Sequence, residues 1–467
     1  MTRLRAVTWT LALVFVGLLS PALRASESPA GHWEGTIELP GNTGNLEVMV
    51  DLVQSGGAWS GTIDIPLQGA KGLPLDGVVV DGAKVRFTIA NVPGNPTFDG
   101  TLEEGALRGS FTQSGVSMPF RLGREKLAKP KRPQEPQPPF PYASEEVTYK
   151  NGDVTLAGTL TLPPGDGPFP AVVLLTGSGA QDRDESAFDH QPFLVLADHL
   201  SRRGIAVLRS DDRGVGGSTG SVPRSTTADF AEDALAGVAL LRRHPKIAKH
   251  RVGLLGHSEG GLAAPLAASK SSDVAFVVML AGPAVPGSEV LLGQIEALSR
   301  AAGATADQIA KGLETQRSLY AVLNSETDPA KRRARLLEVL KAGAAGQVKD
   351  ELLAAQVEQI ENPWFRHFLA FDPRPVLRQV KVPVLALNGE LDLQVLADQH
   401  LPEIEKALRE AGNPDVTAKS LPGLNHLFQP AKTGLLDEYA ASEITLSPEV
   451  LALVSDWITA RFGKPRG

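Results

Sequence analysis

The chain of 467 residues contains no cysteine. Disulfides, cysteine nucleophiles, thiolate metal sites and a lipidated N-terminal cysteine are therefore excluded together. An apolar stretch does open the chain, from Ala6 to Leu19. It is shorter than the roughly 20 residues that a membrane-spanning helix needs. There is no internal repeat and no basic stripe, and the formal net charge is −7. Nucleic-acid binding, which rests on clustered positive charge, is thus not expected.

What the first residues do carry is Arg3 and Arg5, then the apolar run, then small residues at Ala22 and Ala25. This layout predicts a secretory signal peptide over residues 1–25, with an uncleaved anchor as the alternative. Its removal takes three arginines and no acid, moving the charge from −7 to −10. The expected product is exported to the periplasm or the medium, without stable membrane insertion. A chain that is 42% hydrophobic and 21% charged buries a full core, and its length suits two to three domains. A core of that size needs no disulfides.

Three compositional regimes follow. Between residues 26 and 125, short β-prone runs such as NLEVMVDLV, WSGTIDI and KVRFTI alternate with Gly, Asn and Asp turns. Their even spacing predicts a small all-β domain, whether antiparallel sheet, sandwich or barrel. Residues 126–143 are dense in proline and mixed charge, which predicts a semi-rigid linker. From residue 144 to 467, apolar β-branched runs (AVVLLT, IAVLRS, RVGLLG, AFVVML, VPVLALN) alternate with helical stretches. Strands buried on both faces read as continuous apolar runs, so an α/β fold with a mostly parallel sheet is expected. Helical periodicity without strands over about residues 287–371 predicts a helical cap inserted before the last strands.

Two stretches match G-x-S-x-G: Gly256-His257-Ser258-Glu259-Gly260 and Gly216-Gly217-Ser218-Thr219-Gly220. A nucleophilic serine of this kind needs a tight turn between a strand and a helix. Ser258 follows RVGLLG and precedes LAAPLAAS, whereas Ser218 lies several residues beyond its strand. Ser258 is therefore the candidate nucleophile. The helix start beyond it favours developing negative charge, making the Glu259 backbone N–H one expected oxyanion donor. The second is expected from the loop after AVVLLT, at Ser178, with Gly179 as the fallback. A serine hydroxyl needs a base. His257 is its neighbour, but adjacent side chains diverge on such a turn. His426, in LPGLNHLFQ near the end of the domain, fits the chain order Ser–acid–His. The acid is expected in NGELD, after the strand VPVLALN, at Asp392 with Glu390 as the fallback; it would fix the imidazole tautomer.

The ordered motifs GSGAQDRDE, RSDDRGVGGSTG, GHSEGG, NGELDLQV and LPGLNHLFQ resemble the α/β-hydrolase superfamily over about residues 145–465. More narrowly they resemble exported bacterial serine esterases of the EstD type. The resemblance implies Ser258, Asp392 and His426 as a triad, and Asp211, Asp212 and Arg213 as organisers of a loop near the site. It implies an acyl-ester substrate of small-molecule size and no metal or organic cofactor. Two rivals stand beside it: a serine peptidase of the prolyl-oligopeptidase type and a non-catalytic binding protein on the same scaffold. The first usually carries a propeller, which about 95 residues cannot build.

Overall fold

The computed structural model describes residues 28–38, 45–66, 70–90, 92, 94–113, 115–126, 131–344 and 350–463. The expected signal peptide lies outside the described residues. Among the described residues no helix is long and apolar enough to cross a membrane.

The first unit is a closed barrel of eight strands in sequence order: β1 (Gly31–Glu38), β2 (Asn45–Ser55), β3 (Ala58–Ile65), β4 (Ala70–Asp81), β5 (Lys84–Ile89), β6 (Thr97–Glu103), β7 (Ala106–Gln113) and β8 (Val116–Gly123). All neighbours pair antiparallel, and β8 returns to pair with β1. Of the three β arrangements the sequence allowed, closure selects the barrel, which leaves no unpaired edge. Period-two alternation points Leu46, Val48, Val50 and Leu52 of β2 inward. Aromatic rings fill the interior: Phe98 lies 4.7 Å from Phe87, 4.7 Å from Phe111 and 5.0 Å from Phe120.

The proline-rich stretch does not hang free between the units. Arg132 donates to the backbone carbonyls of Asp189 (2.9 Å), Ala440 (2.8 Å) and Ser442 (2.5 Å). Gln134 donates to Leu446 O at 2.7 Å and accepts from Thr445 N at 2.7 Å. Tyr142 donates to Asp198. Residues 131–142 thus form a strap bound to the second unit. Composition foretold an extended chain here, but not what its side chains would grip.

The second unit is built on an eight-stranded sheet. Its core strands are β11 (Phe169–Leu175), β12 (Ala206–Ser210), β13 (Ile247–His257), β14 (Val277–Leu280), β15 (Val384–Gly389) and β16 (Val416–Leu421), all parallel. An antiparallel hairpin, β9 (Ala143–Asn151) and β10 (Val154–Leu162), completes it through β12. The sheet order is β16-β15-β14-β13-β11-β12-β10-β9. β11 and β15 are buried at every position, as the apolar runs FPAVVLL and VLAL require. Helices α1 (Pro192–Arg202) and α12 (Pro448–Phe462) cover one face through Phe193, Leu196, Val454 and Trp457. The other face packs on α2 (Thr227–Arg243), α3 (Gly260–Lys270) and α10 (Ala397–Glu410) through Ala231, Ala263 and Ile404.

Between β14 and β15, among the described residues, the chain leaves the sheet to form five helices and then a short sixth, α9 (Arg374–Leu377). The five are α4 (Gly287–Ala301), α5 (Ala306–Ser325), α6 (Pro329–Ala344), α7 (Asp350–Ile360) and α8 (Pro363–Ala370). They share a core of their own around Leu319, Leu336, Leu353 and Leu369. The whole is an α/β-hydrolase fold with a helical cap, preceded by an all-β barrel.

Candidate active site

Ser258 sits at the sharp junction of β13 and α3, half-buried, with φ of +51°. Such backbone is costly for a residue with a Cβ, and it is held here by crowding that only glycine neighbours permit. A Cβ at Gly256 would lie 1.9 Å from the Gly260 carbonyl oxygen, and one at Gly260 would lie 2.2 Å from Leu175 O. The Ser258 N–H donates to Leu280 O at 2.9 Å, which ties the turn to the neighbouring strand. Ser218, the rival serine, is buried and fully engaged. It accepts from Ala157 N (2.9 Å) and donates to the Asp211 carbonyl (2.8 Å), so its role is to lock a loop.

Asp392 lies just past the end of β15 and is 1% exposed. Its Oδ1 accepts from the N–H groups of Gln394 (2.8 Å) and Val395 (2.9 Å). That leaves Oδ2 facing His426 Nδ1 at 2.8 Å. Glu390, the fallback acid, instead accepts from Gly423 N at the surface. His426 is buried in the loop after β16. With Nδ1 paired to a carboxylate, its Nε2 has no protein partner among the described residues. Because β13, β14, β15 and β16 run parallel, Ser258, Asp392 and His426 all lie just beyond the same end of the sheet.

Among the described residues, no protein group accepts from the backbone N–H of Glu259 or of Ser178. The neighbouring amide of Gly177 is already committed, donating to Glu185 Oε1 at 2.7 Å. Gly177 presses against the serine: a Cβ there would lie 3.3 Å from Ser258 Cβ. Two acids hold this loop, as the resemblance implies for the DDR run. Asp212 accepts from Thr176 Oγ1 (2.7 Å) and Gln181 N (2.9 Å). Asp211 forms a two-pronged pair with Arg183 at 2.8 and 3.0 Å. Arg213 pairs with Asp233 at 2.6 Å. Burial pushes the Asp212 carboxyl up to about 7, against its hydrogen bonds and with the nearby Glu185 and Glu259 charges adding to the rise.

The side chains flanking Ser258 have other partners. Glu259, held above the usual carboxylate range by burial, accepts from Thr227 Oγ1 (2.7 Å) and from Trp364 Nε1 (2.9 Å) of the cap helix α8. His257 faces Glu185 and the His426 carbonyl rather than the serine hydroxyl. Sequence reasoning missed Glu185, Thr227 and Trp364; only Glu185 lay inside a quoted motif, GSGAQDRDE. His190 and His400 are buried, and burial pulls each imidazolium down to about 4. They serve as internal ties, His190 to Thr445 and Tyr439 O, and His400 to Ala284 N. Among the described residues no group of three His, Asp or Glu side chains is arranged to hold a metal ion.

A relative, esterase EstD of Thermotoga maritima, is 30% identical over 285 residues, which is 60% of this chain and 60% of the relative's length. Among solved structures, the chain is similar to the Pyrococcus furiosus esterase Pf2001, at 17% identity and a TM-score of 0.43, covering 72% of this chain and 98% of that one. Another is the dienelactone hydrolase of Anabaena variabilis, at 18% identity and a TM-score of 0.37, covering 68% and 98%. The profile of the serine aminopeptidase S33 family matches residues 190–429, a span that holds Ser258, Asp392 and His426. The chain belongs to that family of α/β-hydrolases.

Proposed function

We propose that the protein hydrolyses carboxylic esters of small-molecule size through an acyl-enzyme on Ser258. His426 Nε2 takes the proton of the serine hydroxyl as Oγ attacks the acyl carbonyl carbon. The resulting oxyanion is held by the Glu259 and Ser178 N–H groups, while Asp392 steadies the imidazolium. His426 then returns the proton to the departing alcohol. Water, deprotonated by the same nitrogen, attacks the acyl carbon, releases the acid and restores Ser258. The scheme calls for no metal or organic cofactor and no nucleic acid.

The observation that carries this reading is the Asp392–His426 pair at 2.8 Å. Its buried acid has its other oxygen spent on two backbone donors. The esterase relative favours an ester over a peptide as substrate. The N-terminal barrel (26–125) serves as an accessory domain joined by residues 126–143 to the catalytic domain (144–467), whose cap spans about 287–371. The protein is exported after loss of residues 1–25.

A panel of p-nitrophenyl esters of graded acyl length, set beside matched aminoacyl anilides, tests the activity. Turnover of esters and not anilides is expected; robust anilide cleavage would replace the esterase reading with a peptidase. Fluorophosphonate labelling followed by peptide mapping is expected to mark Ser258, and a label elsewhere would refute the site.

A further inference from the structure

Behind the candidate triad lies a second acid–imidazole pair. Glu185 and His257 are both buried, with Glu185 Oε1 at 3.0 Å from His257 Nδ1. The same Oε1 accepts from Gly177 N at 2.7 Å. On the far side of the ring, His257 Nε2 lies 3.0 Å from the backbone oxygen of His426. A carbonyl oxygen only accepts, so Nε2 must carry a proton and donate it. The walls are apolar, formed by Phe193, Leu196, Leu280, Leu427 and Phe428. In such surroundings a charge-assisted bond is strong, and breaking it is expensive.

We propose that Glu185 and His257 are positioning residues that hold the oxyanion loop, the nucleophile and the base in one register. The inference rests on the esterase reading above. The chain of bonds runs from Gly177, next to the candidate donor Ser178, through Glu185 and His257 to the backbone of His426. Ser258 is bonded covalently to the middle member. Burying an ion pair is a poor way to gain stability alone, because apolar residues of like volume do as well or better. What this pair adds is direction: three segments are fixed by hydrogen bonds of defined length. In catalysis, misplacement of reacting groups by about 1 Å can cost about a hundredfold.

The His257 and His426 rings are 4.8 Å apart. Burial alone would lower the His257 imidazolium pKa, yet the Glu185 charge and hydrogen bond, the His426 carbonyl and Asp392 together raise it. Facing this cluster from the other packed elements are Asp212, Glu259 and Asp392.

The test compares Glu185→Gln, His257→Gln and His257→Leu in the full chain, using p-nitrophenyl acetate from pH 5 to 9. The expected result for His257→Leu is a kcat at least about tenfold lower with KM within about threefold. His257→Gln keeps an amide that can reach the His426 carbonyl and is expected to recover part of that kcat. Wild-type kcat in Glu185→Gln and His257→Gln would overturn the inference. So would losses that merely track the folded fraction in thermal melts, with no recovery of kcat in His257→Gln over His257→Leu. Fluorophosphonate labelling of each variant separates the two levels: a label on Ser258 leaves the site intact, whereas a label elsewhere removes the esterase reading itself.

Discussion

Replacing Asp392 by asparagine tests the candidate triad through a tautomer. The Asp392 carboxylate accepts two backbone N–H bonds on Oδ1, at 2.8 and 2.9 Å, and meets His426 Nδ1 with Oδ2 at 2.8 Å. An asparagine in this place has one oxygen and one NH2. Turning the NH2 toward Gln394 N and Val395 N would leave two buried donors facing a donor, at roughly 1–3 kcal/mol each. The amide oxygen therefore stays with the backbone, and the NH2 points at His426 Nδ1. Asn388 Nδ2, 3.4 Å from that same position, leaves no acceptor there. His426 must then accept on Nδ1 and carry its proton on Nε2, where it cannot take one from Ser258. The comparable change in a Ser-His-Asp enzyme lowers kcat by about 10⁴, or about 5.4 kcal/mol of barrier at about 1.36 kcal/mol per decade. A loss of that order is expected for Asp392→Asn in steady-state hydrolysis of p-nitrophenyl acetate near pH 7.5. Thermal melting should stay close to wild type, since the residue's shape and two backbone bonds persist. Activity within tenfold of wild type, in protein that melts normally, would refute the tautomer argument.

Ser218→Ala removes the acceptor of Ala157 N and is expected to cost about 1–2 kcal/mol in urea unfolding, while fluorophosphonate still labels the protein fully. Asp212 is a pH-dependent liability to folding: its folded carboxyl titrates at about 7 against a usual 3.8. Between those values the unfolded chain has already released the proton that the folded one keeps. Wild-type stability should thus fall relative to Asp212→Asn as pH rises from 4 to 8, by up to roughly 4 kcal/mol; parallel urea titrations with no divergence would contradict this. Arg132→Ala severs the strap from the carbonyls of Asp189, Ala440 and Ser442. A lower melting temperature and faster proteolytic cutting between barrel and catalytic unit are expected, and an unchanged cleavage rate would argue against a bound strap.

Several features were legible because they are local. NLEVMVDLV alternates with period two, so its inward face and its place in a β unit follow from the pleat. AVVLLT and VPVLALN have no polar face to expose, which commits them to the middle of a covered sheet. Glycines at 256 and 260 around a serine, placed between a strand and a helix, announce a turn too tight for any Cβ. The hairpin β9–β10 escaped notice, although KNGD at its turn was a usable signal. The barrel's closure was open among three arrangements, since alternation says which face is buried but not where the last strand pairs.

The chain alone therefore determined its periodicities, its tight turns and the order in which serine, acid and histidine occur. Tertiary structure decided who meets whom. His257 could have been read as the base from its position beside Ser258. It turns instead to Glu185, 72 residues away, and to the His426 carbonyl, 169 residues on. Glu259 finds Trp364 of the cap, 105 residues on, and Arg132 finds Ser442, 310 residues on. The physical reason is the sheet order, in which β13 lies between β11 and β14 and neighbours in space are not neighbours in sequence. Periodicity reports burial at each position, whereas a hydrogen bond requires two distant segments to arrive at one place with matched donor and acceptor, and only the folded chain supplies that.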